Sequence, residues 1–548
     1  MKIALVCTEK LPVPPIAGGA VQLYIDGIAP FLAAKHDITI FSIQYPGLPD
    51  RETVNGIKLV RLHGGNNANY LNSLKAALDS SFDLIHVFNR PKYIVELMRI
   101  LPKSRFSLSL HNEMFHPEKI TDEEALLCIN KVEFINTVSR YIADTVKARF
   151  PQAADKLRVV YSGVDTDAFR PAWTPQGHEA KLALKARYRL QDHKVILFVG
   201  RFSPKKGVHI MLDAVKRVMG KAPDTALLII GSKWYGSDEI DDYTKELRTI
   251  AEQLPGPVVF TGFMPPDQVC RHYSIADVFI CASQWNEPLA RVHYEAMAAG
   301  LPIITTNRGG NAEVVRGFGN GIVLDDCSNA QKMAESILYL LGNPEKCIEM
   351  GRAGREMAER FFNWKRVAGE IFPESFGLQT AAGVKHKTIP VPFADTIKKA
   401  PETKFFSENQ KAGAADDTAS GHGAAGTAAG STDPWNTWAA VISTNVVKTG
   451  TFAGSTDTAK TETAADGTDI VKIWTTAEDT DFAKTGTVVS STDAVNTGTA
   501  TESSDAVKTE TATESSDAVG IAPALPSRDR SRFGWKRNVT ISPPTRRR

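Results

Sequence analysis

The chain has 548 residues, too many for one hydrophobic core, so more than one domain is expected. It contains no apolar run of about 18 residues, which argues against a membrane-spanning helix. The formal net charge of +2 by itself says little, and we expect no nucleic-acid partner. Six cysteines occur without paired or CxxC spacing, which favours reduced thiols in a cytoplasmic protein.

Strand-like apolar runs alternate with helical patterns in the first part of the chain. A buried strand over 3–8 leads into Gly18-Gly19 and a helical pattern over 20–35. Further strand-like runs follow at 37–43, 57–62, 82–88, 105–110, 134–138 and 157–161. This alternation predicts an α/β domain over residues 1–166, a doubly wound, mostly parallel sheet with helices on both faces.

A second series of the same kind begins at Lys194. Its strand-like runs are 195–199, 225–230, 257–261, 277–281, 302–305 and 321–324. We predict a second Rossmann-like domain over residues 167–372, with a hinge at 166–190. Ligands of such folds bind beyond the carboxyl ends of the strands, so the cleft between the two sheets is the predicted site.

The composition changes after about residue 385, where Ala, Thr, Gly, Ser and Asp dominate. We expect a disordered linker at 373–430, followed by a twelve-residue repeat over 431–526. The repeat is too poor in apolar residues to offset chain entropy, so disorder is predicted, with a stack of β coils near 470–490 as the alternative. Residues 527–548 form a basic tail that suits an acidic or anionic partner, although a solvated tail is the default.

Two glutamates eight positions apart, Glu287 and Glu295, are the strongest candidates for chemistry. Pro288 suits the first turn of a helix, because it lacks only an N–H that is unpaired there. If a helix begins at Pro288, Glu287 lies at its electropositive end and Glu295 lies roughly 12 Å further along. That separation suits two contacts along an elongated ligand. The alternative is a pair of solvated helix charges.

Other candidates follow the ends of strands. Gly200 ends the first strand of the second half and permits close backbone approach. Arg201 and Lys206 then place two cations at the mouth of the cleft, where simple surface cations are the alternative. His111 ends the strand at 105–110, and Gly231 ends another strand in the second half.

Gly18 and Gly19 precede the first predicted helix, whose N–H groups and dipole would favour an anion. Such a pair is by itself more often a plain turn. The glycines do not match GxGxxG, which argues against a dinucleotide-dependent dehydrogenase.

The E-x7-E spacing of Glu287 and Glu295 and the GR-x4-KG pattern of 200–207 resemble glycosyltransferase family 4, a family of retaining enzymes. The resemblance covers residues 1 to about 372 and implies the GT-B fold, with a final crossover helix near 352–372. Segments near 111–115, 231–234 and 283–311 are most similar to the spore coat protein SA group of that family. This likeness implies an enzyme in the mother-cell cytoplasm that ends in the spore coat, with coat proteins as partners of the tail.

Site roles are carried over from the family. The implied catalytic residues are His111 near the reacting carbon, Arg201 and Lys206 at the diphosphate, and Glu287 near the hexose. The implied donor-binding residues are Gly18, Gly19, Gly200, Arg201, Lys206, Gly231, the backbone N–H groups of Leu289 and Ala290, and Glu295 at the ribose.

The resemblance implies transfer of a hexose from a UDP- or GDP-sugar to an unidentified hydroxyl acceptor. Because the chain lacks a DxD-type metal motif in a cleft loop, we expect metal-independent transfer with retention and no cofactor. A helix beginning near Pro288 would add ~0.3–1 kcal/mol of leaving-group stabilisation. The main alternative is a structural coat component that keeps the fold with little turnover. An epimerase or phosphorylase of the same fold fits less well.

Overall fold

The computed structural model describes residues 1–233 and 240–373 in full, together with the backbone of three strands between 457 and 490. Residues 1–373 belong to one compact unit and the three strands to another. The predicted linker from residue 374, most of the repeat and the basic tail at 527–548 lie outside the described residues.

The first sheet has eight strands in the order β3-β4-β2-β1-β5-β6-β7-β8. Their bounds are β1 Lys2–Val6, β2 Asp37–Ile43, β3 Arg51–Val54, β4 Ile57–Leu62, β5 Leu84–Phe88, β6 Phe106–Leu110, β7 Val132–Thr137 and β8 Leu157–Val159. All pairs are parallel except β3 with β4. The helices are α1 Ala20–Ala33, α2 Asn67–Ala77, α3 Pro91–Ile100, α4 Asp122–Lys131 and α5 Arg140–Arg149.

The second sheet has six parallel strands in the order β11-β10-β9-β12-β13-β14. They are β9 Lys194–Val199, β10 Thr225–Ile230, β11 Val258–Phe260, β12 Val278–Cys281, β13 Ile303–Thr306 and β14 Gly321–Leu324. The helices that follow the first half are α6 Pro175–Tyr188, α7 Val208–Met219, α8 Asp242–Glu252, α9 Pro266–His272, α10 Val292–Ala298, α11 Ala330–Gly342, α12 Pro344–Phe361 and α13 Trp364–Glu370.

Burial explains why the apolar runs form strands. Every residue of β5, β6 and β10 is buried, as expected for a parallel sheet covered by helices on both faces. Local capping sets several helix starts. In α4, Thr121 accepts the N–H of Glu124, whose carboxylate accepts the Thr121 N–H in return.

The chain returns to the first half through its last helix. The expected crossover helix near 352–372 is two helices, because α12 ends at Phe361 and the side chain of Asn363 caps a new helix, α13. The ring of Trp364 lies so close to Gly27 of α1 that a Cβ there would overlap it. Asn136, at the end of β7, donates to the Ile371 carbonyl at 2.7 Å. These contacts join the two halves.

Three antiparallel strands lie within the repeat: β15 Asp457–Thr463, β16 Asp469–Thr475 and β17 Thr487–Ser490. Asp457 and Asp469, the first residues of β15 and β16, are separated by one repeat period. The other repeat residues lie outside the described residues, and disorder of the repeat remains a prediction.

Candidate active site

Loops at the carboxyl ends of β9 and β10 pack directly against each other. Gly231 has a φ of +146°, and a Cβ there would overlap the carbonyl oxygen of Gly200. The Phe202 N–H donates to the Ser232 carbonyl at 2.9 Å, which holds the two loops together. Arg201, half-buried, therefore begins its loop from a fixed backbone. Only glycine fits at position 231, which accounts for Gly231 as a site-shaping residue.

The same β9 loop is also tied to the loop after β12. Gly207 has a φ of +68°, and a Cβ there would overlap the Ala282 carbonyl oxygen. The Gln284 N–H donates to the Lys205 carbonyl at 2.8 Å. This close approach carries Lys206 toward Glu287, although 81 residues separate them in sequence.

Lys206 and Glu287 form an ion pair, with Nζ and Oε1 2.5 Å apart. The Ser283 hydroxyl donates to the same carboxylate oxygen at 2.8 Å. The side chains of Lys206 and Glu287 are 20% and 5% exposed, so the pair is largely shielded from water. Burial raises the pKa of Glu287, but the charge of Lys206 and the hydrogen bonds outweigh it, and the pKa lies below its ordinary value.

The expected helix start at Pro288 is wrong, because α10 begins at Val292. The segment before it is held in a non-helical path by the loop after β13. The Gly310 N–H donates to the Glu287 carbonyl at 2.8 Å, and the Asn311 side chain accepts the Ala290 N–H at 3.0 Å. Glu287 is therefore not at the electropositive end of a helix. The stabilisation of the leaving group that was expected from a helix beginning at Pro288 is absent.

Leu289 and Ala290 were both expected to offer a backbone N–H to the donor, but only one of the two groups is available. The Ala290 N–H is occupied by Asn311, so it is not available to a donor in this structure. Within the described residues, the Leu289 N–H has no hydrogen-bond partner, and it remains a candidate.

Glu295 lies in the first turn of α10, apart from the Lys206–Glu287 pair. The Tyr273 hydroxyl donates to Glu295 Oε2 at 2.8 Å, and Arg291 Nε lies 3.9 Å from Oε1. Tyr273 is fully buried and so fixes the direction of the carboxylate. The two glutamates of the E-x7-E pattern thus have different partners, as two separate contacts along one ligand would require.

His111 follows β6 in the first half and is buried. Its ring packs edge-to-face on Tyr24 at 4.8 Å, and the backbone N–H of His111 donates to Asn89 Oδ1 at 3.0 Å. Among the described residues, Nε2 has no hydrogen-bond partner. Burial and the charge of Arg291 lower the pKa of His111 to about 3, so the imidazole is neutral at physiological pH.

Gly18 and Gly19 precede α1 as expected, with φ values of +89° and +98°. A Cβ at Gly19 would overlap the Gln22 side chain, whose amide donates to Thr8 Oγ1 at 3.1 Å and to the Leu11 carbonyl at 3.2 Å. Gln22 therefore braces the glycine turn against the loop after β1. The first turn of α1 has no acidic residue, which keeps its N-terminus suited to an anion.

Glu313 makes a connection between the halves that the sequence did not reveal. Its Oε2 and Oε1 accept the N–H groups of Arg140 and Tyr141, each at 2.8 Å, and so cap α5 in the first half. The Tyr161 hydroxyl donates to Oε2 at 2.7 Å. Burial raises the pKa of Glu313 above its ordinary value, although these hydrogen bonds favour the charged form. The only signal was its place in the Gly309-Gly310-x-x-Glu313 segment.

Arg291, which had no expected role, also contacts the turn just before the hinge. Its guanidinium donates to the Ser162 hydroxyl at 3.0 Å and to the Gly163 carbonyl at 3.2 Å. It lies 5.2 Å from the ring centre of Trp364, a cation–π distance. Ser162 and Gly163 therefore help to hold Arg291 in place.

Over the part of the chain that the structure describes, no group of three or more His, Cys, Asp and Glu side chains is arranged to hold a metal ion. In the same residues, no helix is both long and apolar enough to cross a membrane.

Two doubly wound sheets, with these loops at their carboxyl ends, define a GT-B glycosyltransferase. Two family models match the chain: "Glycosyltransferase Family 4" over residues 17–168 and "Glycosyl transferases group 1" over residues 182–357. The chain belongs to this glycosyltransferase family, and it is an enzyme of the transferase class.

Among its relatives, spore coat protein SA of Bacillus subtilis (strain 168) is 47% identical over 372 residues, which are 68% of this chain and 98% of that protein. The putative glycosyltransferase YtcC of the same strain is 42% identical over 394 residues, 72% of this chain and 95% of that protein. The solved structure of Anabaena Alr3699/HepE with UDP-glucose superposes with a TM-score of 0.55 at 20% identity, over 69% of this chain and all of that one.

Proposed function

We propose that this glycosyltransferase moves a hexose from a nucleoside-diphosphate sugar to a hydroxyl acceptor, with retention of anomeric configuration. The observation that carries the proposal is the Lys206–Glu287 pair, which joins the GR-x4-KG and E-x7-E motifs at one place. The structural neighbour from Anabaena was solved with UDP-glucose, which supports a nucleotide sugar as donor. UDP- and GDP-hexoses are the first candidates.

Charge at the leaving group accounts for most of the proposed catalysis. As the bond from the anomeric carbon to the diphosphate oxygen breaks, negative charge grows on the diphosphate. Lys206 and Arg201 are the cations proposed to stabilise it, and Gly19 would present its backbone N–H to the same phosphates. The N–H of Gly18, expected to do the same, instead donates to the Pro15 carbonyl at 3.0 Å. Glu287 pairs with Lys206 and so holds the Lys206 side chain in a fixed direction, and its carboxylate is also proposed to meet hexose hydroxyls.

The new bond forms between the acceptor oxygen and the anomeric carbon on the face that the diphosphate leaves. The acceptor proton passes to a diphosphate oxygen, so no protein base is needed. Neutral His111, with a free Nε2, would hydrogen-bond the hexose near the reacting carbon. Glu295, oriented by Tyr273, would accept hydrogen bonds from the ribose hydroxyls. Fixed cations take the place of a divalent metal, so we propose metal-independent transfer without a cofactor.

The proposal is tested with a panel of UDP-, GDP- and ADP-hexoses. A donor is identified by a thermal shift of the purified protein, and turnover by release of the nucleoside diphosphate in the presence of hydroxyl acceptors. Proton NMR of the product gives the anomeric configuration. Equal rates with EDTA and with added Mg²⁺ are expected. Release that depends on Mg²⁺, or a product of inverted configuration, would refute the corresponding part of the proposal.

A second candidate function is supported by the 47% identity to a spore coat protein over almost its whole length. In this view the protein acts in the mother cell and joins the coat as a structural component, with the tail as its contact to coat proteins. The two roles are separated by the variant Lys206→Ala in a spore-forming host. Normal spore coats with this variant would support the structural role. Defective coats would indicate that coat formation requires the transferase activity.

A further inference from the structure

Three side chains beside the proposed donor site have no role so far: Glu113, Tyr141 and Asn286. The Tyr141 hydroxyl donates to Glu113 Oε1 at 2.5 Å, and the Asn286 side chain hydrogen-bonds the same hydroxyl. Glu113 lies two residues after His111, and Asn286 directly precedes Glu287. The cluster therefore spans the cleft between residues proposed to hold the hexose.

The cluster is both accessible and held in place. Glu113 and Tyr141 are half-buried and Asn286 is exposed, so a ligand in the cleft can reach them. The Tyr141 backbone is fixed independently, because its N–H donates to Glu313 of the opposite half at 2.8 Å. The hydroxyl of Tyr141 thus keeps its position only while the two halves stay together.

The chemistry of the cluster is that of a hydroxyl-binding site. Burial and the neighbouring Glu113 raise the pKa of Tyr141, so the phenol stays protonated and remains a donor. Within the described residues, Glu113 Oε2 has no hydrogen-bond partner and can accept from a ligand. A carboxylate accepts hydroxyl hydrogens well and repels phosphates and other anions.

The cation Arg90 follows Asn89, whose side chain accepts the backbone N–H of His111. Arg90, at the end of β5, is held by Glu9 through two hydrogen bonds of 2.8 and 2.6 Å. Tyr93 donates to the same carboxylate at 3.0 Å. Because the charge of Arg90 is matched at short range by Glu9, it is a poor anchor for an anionic acceptor.

We propose that Glu113 and Tyr141 form the acceptor subsite, and that the acceptor is an uncharged polyhydroxyl compound, such as the end of a neutral glycan, and not a phosphorylated one. The inference rests on the proposed function, since it names the acceptor class of that same site. Glu113 accepts from acceptor hydroxyls, and Tyr141 orients Glu113.

The experiment measures steady-state kinetics with the donor found above and two matched acceptor sets, neutral mono- and disaccharides and their monophosphates. Glu113→Gln keeps the shape and removes the charge, and Glu113→Lys reverses it. Glu118→Gln is the control, because Glu118 is 82% exposed on the same segment. Tyr141→Phe tests the orienting hydroxyl.

We expect wild type to prefer neutral acceptors. In Glu113→Gln, the acceptor KM should rise roughly 10–100-fold, the usual effect of losing a hydrogen bond to a charged group, while the donor KM changes by less than about threefold. Tyr141→Phe should also raise the acceptor KM, but by less than Glu113→Gln does. Glu113→Lys should shift the preference toward phosphorylated acceptors, a gain that a purely structural role would not produce. Glu118→Gln should match wild type.

An unchanged acceptor KM in Glu113→Gln, or a wild type that uses phosphorylated acceptors equally well, overturns the inference and leaves the proposed transferase function standing. Donor binding without nucleotide release under any condition would instead refute the proposed function.

Discussion

Lys206 Nζ and Glu287 Oε1 lie 2.5 Å apart, so the cation of one sequence motif and the carboxylate of another act as a single unit. Glycines make this possible. Gly207 lets the β9 loop approach Ala282, and Gly309 packs against the Glu287 carbonyl. The pair is thus held from both sides by backbone that only glycine can form.

Replacing Lys206 with Ala should lower kcat by about 10²–10³, the usual effect of removing one preorganised donor at a developing negative charge. Lys205→Ala is the matched control. Lys205 is exposed and lies over the Trp285 ring at 5.7 Å, so its loss should change kcat by less than about threefold. Nucleoside-diphosphate release measures both. Equal losses in the two variants would mean that Lys206 has no special role.

Ala at Gly309 should disturb the site more than Ala at Gly319. Both glycines have positive φ, +57° and +69°, so both variants pay the left-handed strain of about 1–2 kcal/mol. A Cβ at Gly309 would also overlap the Glu287 carbonyl, whereas at Gly319 it would meet open space. We expect Gly309→Ala to lower the free energy of unfolding more than Gly319→Ala does, and a kcat loss of more than about tenfold only in Gly309→Ala. A parallel kcat loss in Gly319→Ala would assign the effect to general instability.

The parallel strands could be predicted from the sequence, because their buried apolar runs are local signals. Strand β3 was missed, since Arg51-Glu52-Thr53-Val54 forms an edge strand in which polar residues are tolerated. Among the described residues, β3 pairs only with β4, in antiparallel orientation.

The geometry of the site was harder to predict from the sequence. The start of α10 was misplaced because Asn311, 21 residues further on, takes the Ala290 N–H and keeps the segment out of the helix. Glu313 caps a helix that begins at Arg140, 173 residues earlier. Contacts between elements so far apart in sequence leave no periodic signal, so neither could be predicted from residue pattern alone.

His111 should not titrate in the physiological range. Its folded pKa of about 3 lies below the unfolded value of roughly 6.5, so the unfolded chain binds the proton first as the pH falls. His111 therefore contributes stability above pH 6.5 that is lost toward pH 3, at up to ~1.4 kcal/mol per pH unit. Between pH 5 and 8 we expect no inflection in kcat/KM from this residue. NMR of ring-labelled histidine checks this directly, and a His111 titration near pH 6.5 would contradict it.

Replacing Glu313 with Ala should weaken the connection between the halves. The variant leaves the Arg140 and Tyr141 N–H groups without their acceptor, a cost of about 1–3 kcal/mol in the free energy of unfolding. Thr121→Ala is the control, since it removes a cap of similar worth, about 0.5–2 kcal/mol, within one half. Only Glu313→Ala should also lower kcat, because it alone releases Tyr141 and the cleft. Loss of kcat in Thr121→Ala as well would point to stability and not to the connection.

The variant Glu313→Gln tests the charge separately. Because burial raises the pKa of Glu313 above 4.5, the folded state holds the proton more tightly than the unfolded chain. The stability contribution of this group is therefore greatest at low pH and declines as the pH rises through that raised value. An uncharged amide avoids this loss while it keeps one oxygen for the α5 cap. At neutral pH we expect Glu313→Gln to unfold within about 1 kcal/mol of wild type, above Glu313→Ala, and to show a flatter dependence of stability on pH between 4 and 7. Denaturant titrations across that range measure the difference. A Gln variant as unstable as the Ala variant would mean that the carboxylate charge itself holds the halves together.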